Sequence, residues 1–374
     1  MPKPAGRYPR VISFMDEGVP SPHWRIVAPF KRLAAAGYPV SIFPISETDK
    51  VRMQDADVLV LYHWNCLNPS ALPGFLDDLH RHRVGLVYDT DDDLFNMPTS
   101  WLADAGDAVV QSHLTRAAST RYLAQAADVL TTSTPYLASQ MRVYNPRVQV
   151  LPNLIDPAAY VLPIHRADYR KVQGLTVGVH GSLSHLDDWI ILGELFPILA
   201  ERYPELTFVT AGFCPPYLEA LGLGERLVKL PWLALDQYKK NVANIDIALC
   251  PLPDTAFNRS KSPIKWMESS LFGAAVVASP TVYGEVIRHG ETGFIANNLG
   301  DWIEYVSILV ENSALRKRIG HRAQREVLMR HSLANPVELK RRMDIYRLAW
   351  ERAASAGAEY RGSGVDSMQL AGAS

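Results

Sequence analysis

The stretch Asn258-Arg-Ser-Lys-Ser-Pro-Ile-Lys-Trp-Met-Glu268 gathers three cations, Arg259, Lys261 and Lys265, and one carboxylate. It follows an apolar run ending near Cys250 and a loop rich in Pro, Asp and Asn, and it leads into helical spacing. Ser260 as N-cap and Pro263 near the first helical position would start that helix. A helix start presents free N–H groups and the positive end of its dipole, which together with these cations suits a phosphate. Glu268, about two turns in, could accept hydrogen bonds from two neighbouring ribose hydroxyls. Arg259, Lys261, Ser262, Lys265 and Glu268 therefore read as a site for a nucleotide diphosphate, the alternative being a solvated helix start.

Gly181-Ser182-Leu-Ser-His185 follows a short apolar run and precedes helical spacing. Backbone N–H groups there, with Ser182 and His185, could hold the diphosphate or the sugar. The competing reading is a capped turn with an exposed histidine. Four carboxylates, Asp89, Asp91, Asp92 and Asp93, follow the apolar run Val84–Tyr88. Asp89, Asp91 and Asp92 are candidates to orient a substrate hydroxyl or take its proton, with Asp91 and Asp92 as catalytic carboxylates. A hard-cation site and a capping or surface cluster are the alternatives. Ser21-Pro-His23-Trp-Arg25 and His63-Trp64 lie at further loop positions, where His23 and Arg25 are candidates for ligand contact.

These groups need a scaffold that brings loops from distant segments together. Short apolar runs at 10–15, 39–43, 56–62, 84–89, 128–133 and 148–152 alternate with helical spacing, the pattern of a doubly wound parallel sheet. The same alternation restarts at Leu175 and continues through runs near 206–211, 227–230, 245–249, 274–278 and 293–295. The sequence thus predicts two Rossmann-like α/β domains, 1–160 and 173–334, then a helix over 335–356 and a disordered tail, 357–374. Ligands of such sheets lie outside the carboxyl ends of the strands, so the crevice between the domains is the expected site.

The chain has 374 residues and a net charge of -1, which offers no overall basic field for a nucleic-acid polymer. Cys66, Cys214 and Cys250 are too far apart for a zinc knuckle or a disulfide framework and fit a reducing cytosol. Neither a membrane span nor a cleavable leader is expected at the N-terminus. The segment 311–361 is locally basic through Arg316, Lys317, Arg318, Arg322, Arg325, Lys340, Arg341 and Arg342, so a peripheral contact with anionic lipid is one reading and a solvated face the other.

The stretch ESSLFGAAVVASPTVYGEVIRHGETGFI, which begins at Glu268, resembles the C-terminal signature of retaining glycosyltransferases with two Rossmann domains. That family, group 1 or family 4-like, has the GT-B fold and a Glu-x7-Glu motif. ADVLTTSTPYLASQM and VQVLPNLID resemble the end of its N-terminal domain. The resemblance implies that Glu268 is the second motif glutamate, which binds the donor ribose. It also implies an acceptor domain first, where His23, Arg25, Asp89, Asp91 and Asp92 would meet the acceptor, and a donor domain second, with the C-terminal helix crossing back to the first. Eight positions before Glu268 stands Ser260, so the first glutamate is absent. Lys261, Ser262 and Lys265 follow instead the Lys-Ser-x-x-Lys pattern of a branch serving O-antigen and polysaccharide synthesis. The expected activity is transfer of a sugar from a nucleotide-diphosphate sugar to a glycan or lipid-linked acceptor, with retention and without a metal or other cofactor. A noncatalytic sugar-nucleotide-binding relic and a sugar-nucleotide epimerase on the same fold are the alternatives. The expected location is the cytoplasm, with peripheral contact at the inner face of the membrane as one of the two readings of the basic segment.

Overall fold

Twelve short strands, most of them buried on both faces, form two parallel sheets in a computed structural model that describes residues 8–15, 22–50, 52–63, 65, 69–97, 107–160 and 171–359. The first sheet contains β1 (Val11–Phe14), β2 (Val40–Phe43), β3 (Val58–Tyr62), β4 (Gly85–Thr90), β5 (Val129–Thr132) and β6 (Val148–Val150), in the order β2-β1-β3-β4-β5-β6. The second contains β7 (Thr176–Gly181), β8 (Thr207–Gly212), β9 (Leu227–Pro231), β10 (Ile247–Cys250), β11 (Ala275–Ala278) and β12 (Phe294–Ile295), in the order β12-β11-β10-β7-β8-β9. The fold is the GT-B arrangement of two Rossmann-like domains. Strands such as β3, VLVLY with all five residues buried, carry apolar side chains on both faces because helices cover both sides of the sheet.

The chain order reverses at β1 and β3 in the first sheet and at β7 and β10 in the second, which opens a crevice at the carboxyl ends of those strands. The carboxyl ends of β3, β4 and β7, with the loops that follow them and the loop after β10, carry Tyr62 and His63, the aspartate cluster, Gly181–His185 and the Lys261 stretch. Helix Pro336–Glu359 leaves the second domain and packs on the first, its Met343, Tyr346 and Ala349 sharing a core with Phe30 and Val87. A Cβ at Gly85 would stand 2.7 Å from the Ala349 carbonyl carbon, so glycine there lets this helix lie directly on β4.

Two local expectations are revised. Ser260 does not cap the helix that holds Glu268. It ends a separate short helix, Ala256–Ser260, capped by the Thr255 side chain, and its own hydroxyl donates to the Ala256 carbonyl at 3.2 Å. The next helix begins at Ile264 after Pro263, so Glu268 lies one turn in, not two. Arg342, read as part of a basic surface, is buried and donates to the Pro152 carbonyl at 3.3 Å, while Lys340 and Arg341 face Asp344 and Glu338. Ser21, Trp64, Cys66 and the tail residues 360–374 lie outside the described residues. Among the described residues no helix is long and apolar enough to cross a membrane.

Candidate active site

On the second domain the site is built around Asp188, which the sequence reading did not single out. Its Oδ2 lies 2.8 Å from His185 Nδ1 and 3.3 Å from Lys261 Nζ, and its Oδ1 accepts from Asn258 Nδ2 at 2.7 Å. Burial opposes its charge, but these donors outweigh burial and hold the carboxyl below its usual range. His185 stacks on Trp189 with an interplanar angle of 5°, and burial, reinforced by Lys261, pushes its pKa down to about 3. A neutral imidazole that donates through Nδ1 keeps an acceptor at Nε2, which suits a sugar hydroxyl and not a diphosphate oxygen.

Lys265 reaches over the end of β7. A Cβ at Gly181 would stand 3.0 Å from Lys265 Nζ and 2.8 Å from the His185 ring, so the glycine is what admits both side chains. Burial lowers the Lys265 pKa against the pull of Glu268, and burial raises Glu268 to about 7 against the pull of Lys265. Lys265 and Glu268 thus act on each other electrostatically at the end of β7, a cation and a carboxyl that a diphosphate and a ribose could engage. His180 is inside, with Nδ1 2.9 Å from Tyr238 Oη and Nε2 2.9 Å from Ser269 Oγ, and burial keeps it neutral. Ser182 Oγ lies 2.8 Å from Ser184 Oγ at the exposed mouth of this loop. Trp232, also missed, follows β9 and is 47% exposed, with its edge 3.0 Å from where a Gly212 Cβ would stand.

Three expected contacts take other places. Arg259 turns to the surface and pairs with Asp254 at 2.5 Å. Ser262 accepts from Asn153 Nδ2 of the first domain at 2.9 Å. Arg25 was expected to meet the acceptor, yet its guanidinium is fully buried. It binds Asp89 through two bonds of 2.8 and 2.7 Å, and it donates to Leu151 O and, at 2.9 Å, to Asn153 Oδ1. Asp89 in turn accepts from Thr131 Oγ1 at 2.6 Å and is 2% exposed. Two buried, opposite charges satisfy each other here because neither could be stranded in the core. Arg25 and Asp89 are thus an internal tie between β4 and the segment after β6, and direct acceptor contact by either is corrected. His23, at the start of a π-helical turn His23–Val27, packs edge-on to Trp24.

On the first domain Asp91 and Asp92 stay at the crevice. The Tyr62 hydroxyl donates to Asp91 Oδ1, and the Asp91 side chain is 11% exposed. Burial, with Asp92 beside it, pushes Asp91 up to about 7. Burial also raises Asp92, opposed by Lys261 from the other domain and by Arg116. Asp93 turns inward and accepts from Phe95 N and Asn96 Nδ2 within a turn, not at the start of a helix. One ligand atom each of His63, Asp91 and Asp92 lies within 4.8 Å of the others, a set that could hold a divalent cation. The domains meet directly at the site: Thr134 Oγ1 donates to Ser260 O at 3.0 Å, beside the Asn153–Ser262 bond.

Residues 174–312 match the family model for glycosyl transferases group 1. The second domain is therefore of the group 1 glycosyltransferase type, as the sequence resemblance implied. No curated protein matches the sequence. Among solved structures, HepE from Anabaena, crystallised with UDP-glucose, is 16% identical and superposes with a TM-score of 0.60 over 94% of this chain and 100% of its own. Sucrose-phosphate synthase from Thermosynechococcus elongatus is 12% identical, with a TM-score of 0.57 over 94% of this chain and 98% of its own. A glycosyltransferase from Rickettsia africae is 14% identical, with a TM-score of 0.57 over 91% and 98%. At these identities the likeness is one of fold.

Proposed function

We propose that this protein is a glycosyltransferase that moves a sugar from a nucleotide-diphosphate donor to a glycan or lipid-linked acceptor, with retention and without a metal. The observation that carries this reading is Lys261, which lies 3.3 Å from Asp188 in the donor-side cluster and also acts electrostatically on Asp92 across the crevice. Its ammonium thus stands between the place of a departing diphosphate and the place of an incoming hydroxyl. As the bond to the anomeric carbon breaks, negative charge grows on the diphosphate, and Lys261 and Lys265 are already placed to stabilise it. Glu268 accepts from the ribose, Trp232 offers a face to the base, and the His185 Nε2 acceptor meets a sugar hydroxyl. Asp92 orients the acceptor hydroxyl or takes its proton, with Asp91 held beside it by Tyr62.

A uridine diphosphate sugar is the first donor to try, because HepE was crystallised with UDP-glucose. Synthesis of a polysaccharide or O-antigen at the cytoplasmic face of the membrane is the setting proposed. The test is transfer with and without EDTA: turnover is expected to persist on chelation. Loss of turnover, restored by Mn or Mg, would make His63, Asp91 and Asp92 a metal site and overturn the metal-free mechanism.

A further inference from the structure

Beside the aspartate cluster, helix Asp107–Ala126 and Phe95 enclose a cavity of about 330 Å³, lined by Phe95, Ala117, Ala118, Arg121, Tyr122 and Gln125. Phe95 stands three residues beyond Asp92, so the rim lies within about 10 Å of that residue's backbone. Arg116 of the same helix acts electrostatically on Asp92 and His63, which places the helix alongside the crevice. The walls are mostly aromatic ring and methyl, and the polar groups are confined to Arg121, Gln125 and the Tyr122 hydroxyl. A bare sugar needs several converging hydrogen-bond partners, which these walls do not supply. On the outer face of the helix, Leu114 is 54% exposed and Tyr122 36%, with Ala118 exposed between them, so an apolar stripe at four-residue spacing runs along the cavity mouth.

Arg121 is exposed and lies over two rings, 5.5 Å from the centre of Phe95 and 5.8 Å from that of Tyr144, and it makes no ion pair among the described residues. A guanidinium lying on aromatic faces keeps its N–H edges available in its own plane, where they match a phosphate. We propose that this cavity, with Arg121 and the Leu114–Ala118–Tyr122 stripe, binds the phosphate and adjoining hydrocarbon of a lipid-phosphate acceptor, presenting the acceptor's far end to Asp92. The proposal rests on the sugar-transfer reading for its purpose, but the binding itself does not.

The test is calorimetry on the full chain with farnesyl phosphate below its micelle concentration, farnesol, inorganic phosphate and UDP. Farnesyl phosphate is expected to bind at least ~10-fold more tightly than farnesol or inorganic phosphate, because only it engages both the walls and the charge-assisted bonds of Arg121. Arg121→Gln is expected to reduce its affinity roughly tenfold, to that of farnesol. Ala118→Trp, which fills the cavity, should abolish binding, and Tyr122→Ser, on the exposed rim, should weaken it about threefold. All three should bind UDP as the parent does, which also reports that they fold. Farnesyl phosphate binding no better than inorganic phosphate, or equally to the parent and to the variants that fold, overturns the proposal. If farnesyl phosphate binds as expected and no nucleotide does, the cavity assignment stands and the sugar-transfer reading falls.

Discussion

Glu268, proposed to accept from the donor ribose, opposes stability above neutral pH because it is buried. Burial raises it from 4.5 to about 7, so between those pH values the folded chain binds more protons than the unfolded one. Stability from this group is fully present below about pH 4.5 and is lost as pH rises through 7. Glu268→Gln should therefore stabilise the chain at pH 8 by ~1–3 kcal/mol, since the shift to about 7 already includes the opposing pull of Lys265. Urea denaturation at pH 8 and pH 4 checks this, the two proteins differing only at the higher pH. The same variant should bind nucleotide about tenfold more weakly at pH 8, since the ribose loses a charged acceptor. For Asp92→Asn the split is opposite: transfer falls by ~10²-fold or more if Asp92 moves the proton, and nucleotide affinity measured by calorimetry is unchanged. A loss of nucleotide binding with the fold intact would move Asp92 to the donor site.

Elements were more legible in the sequence than the partners of individual side chains. Parallel strands buried on both faces leave continuous apolar runs, which is why β1 to β12 could be placed from apolar spacing alone. The start of the Glu268 helix was misplaced by one turn because Ser260 and Pro263 both suit a helix start, and sequence does not reveal that Thr255 had already capped a short helix ending there. Arg25 was assigned to the acceptor because it sits on a crevice loop. Its tie to Asp89, 64 positions away, is set by tertiary packing. Asp188 carried a usable signal, since it lies three residues after His185, the spacing of neighbours on one helical turn. Trp232 had none beyond following a strand. The packing of helix Pro336–Glu359 on β4 gives an element-scale prediction. Gly85→Ala puts a methyl 2.7 Å from the Ala349 carbonyl and should cost about 1–3 kcal/mol in thermal or urea unfolding, the upper end of overpacking effects. An unchanged stability would mean that the helix can move off the strand freely.

At the scale of the whole molecule, the two domains are joined by more than a linker. Asp89, Arg25, Asn153 and Ser262 form one hydrogen-bonded series from the end of β4 to the Lys261 loop, and Thr134 holds the Ser260 carbonyl next to it. The place where the family carries its first glutamate is therefore a buried domain contact in this chain, with Ser260 0% exposed. Lysines in the following residues supply the cationic character of the crevice, and Asp92, from the other sheet, lies within the electrostatic reach of Lys261. This arrangement calls for chemistry that uses both domains together. The most direct measurement is mass spectrometry of products after incubating the chain with UDP-, GDP-, ADP- and dTDP-sugars, with and without glycan and lipid-phosphate acceptors. Sugar transfer is expected from one class of donor, dependent on acceptor and persisting in EDTA. A sugar nucleotide that binds but whose sugar is neither transferred to an acceptor nor slowly released by hydrolysis would contradict catalysis and leave a binding protein. Conversion of the donor sugar without any acceptor would make the chain an epimerase.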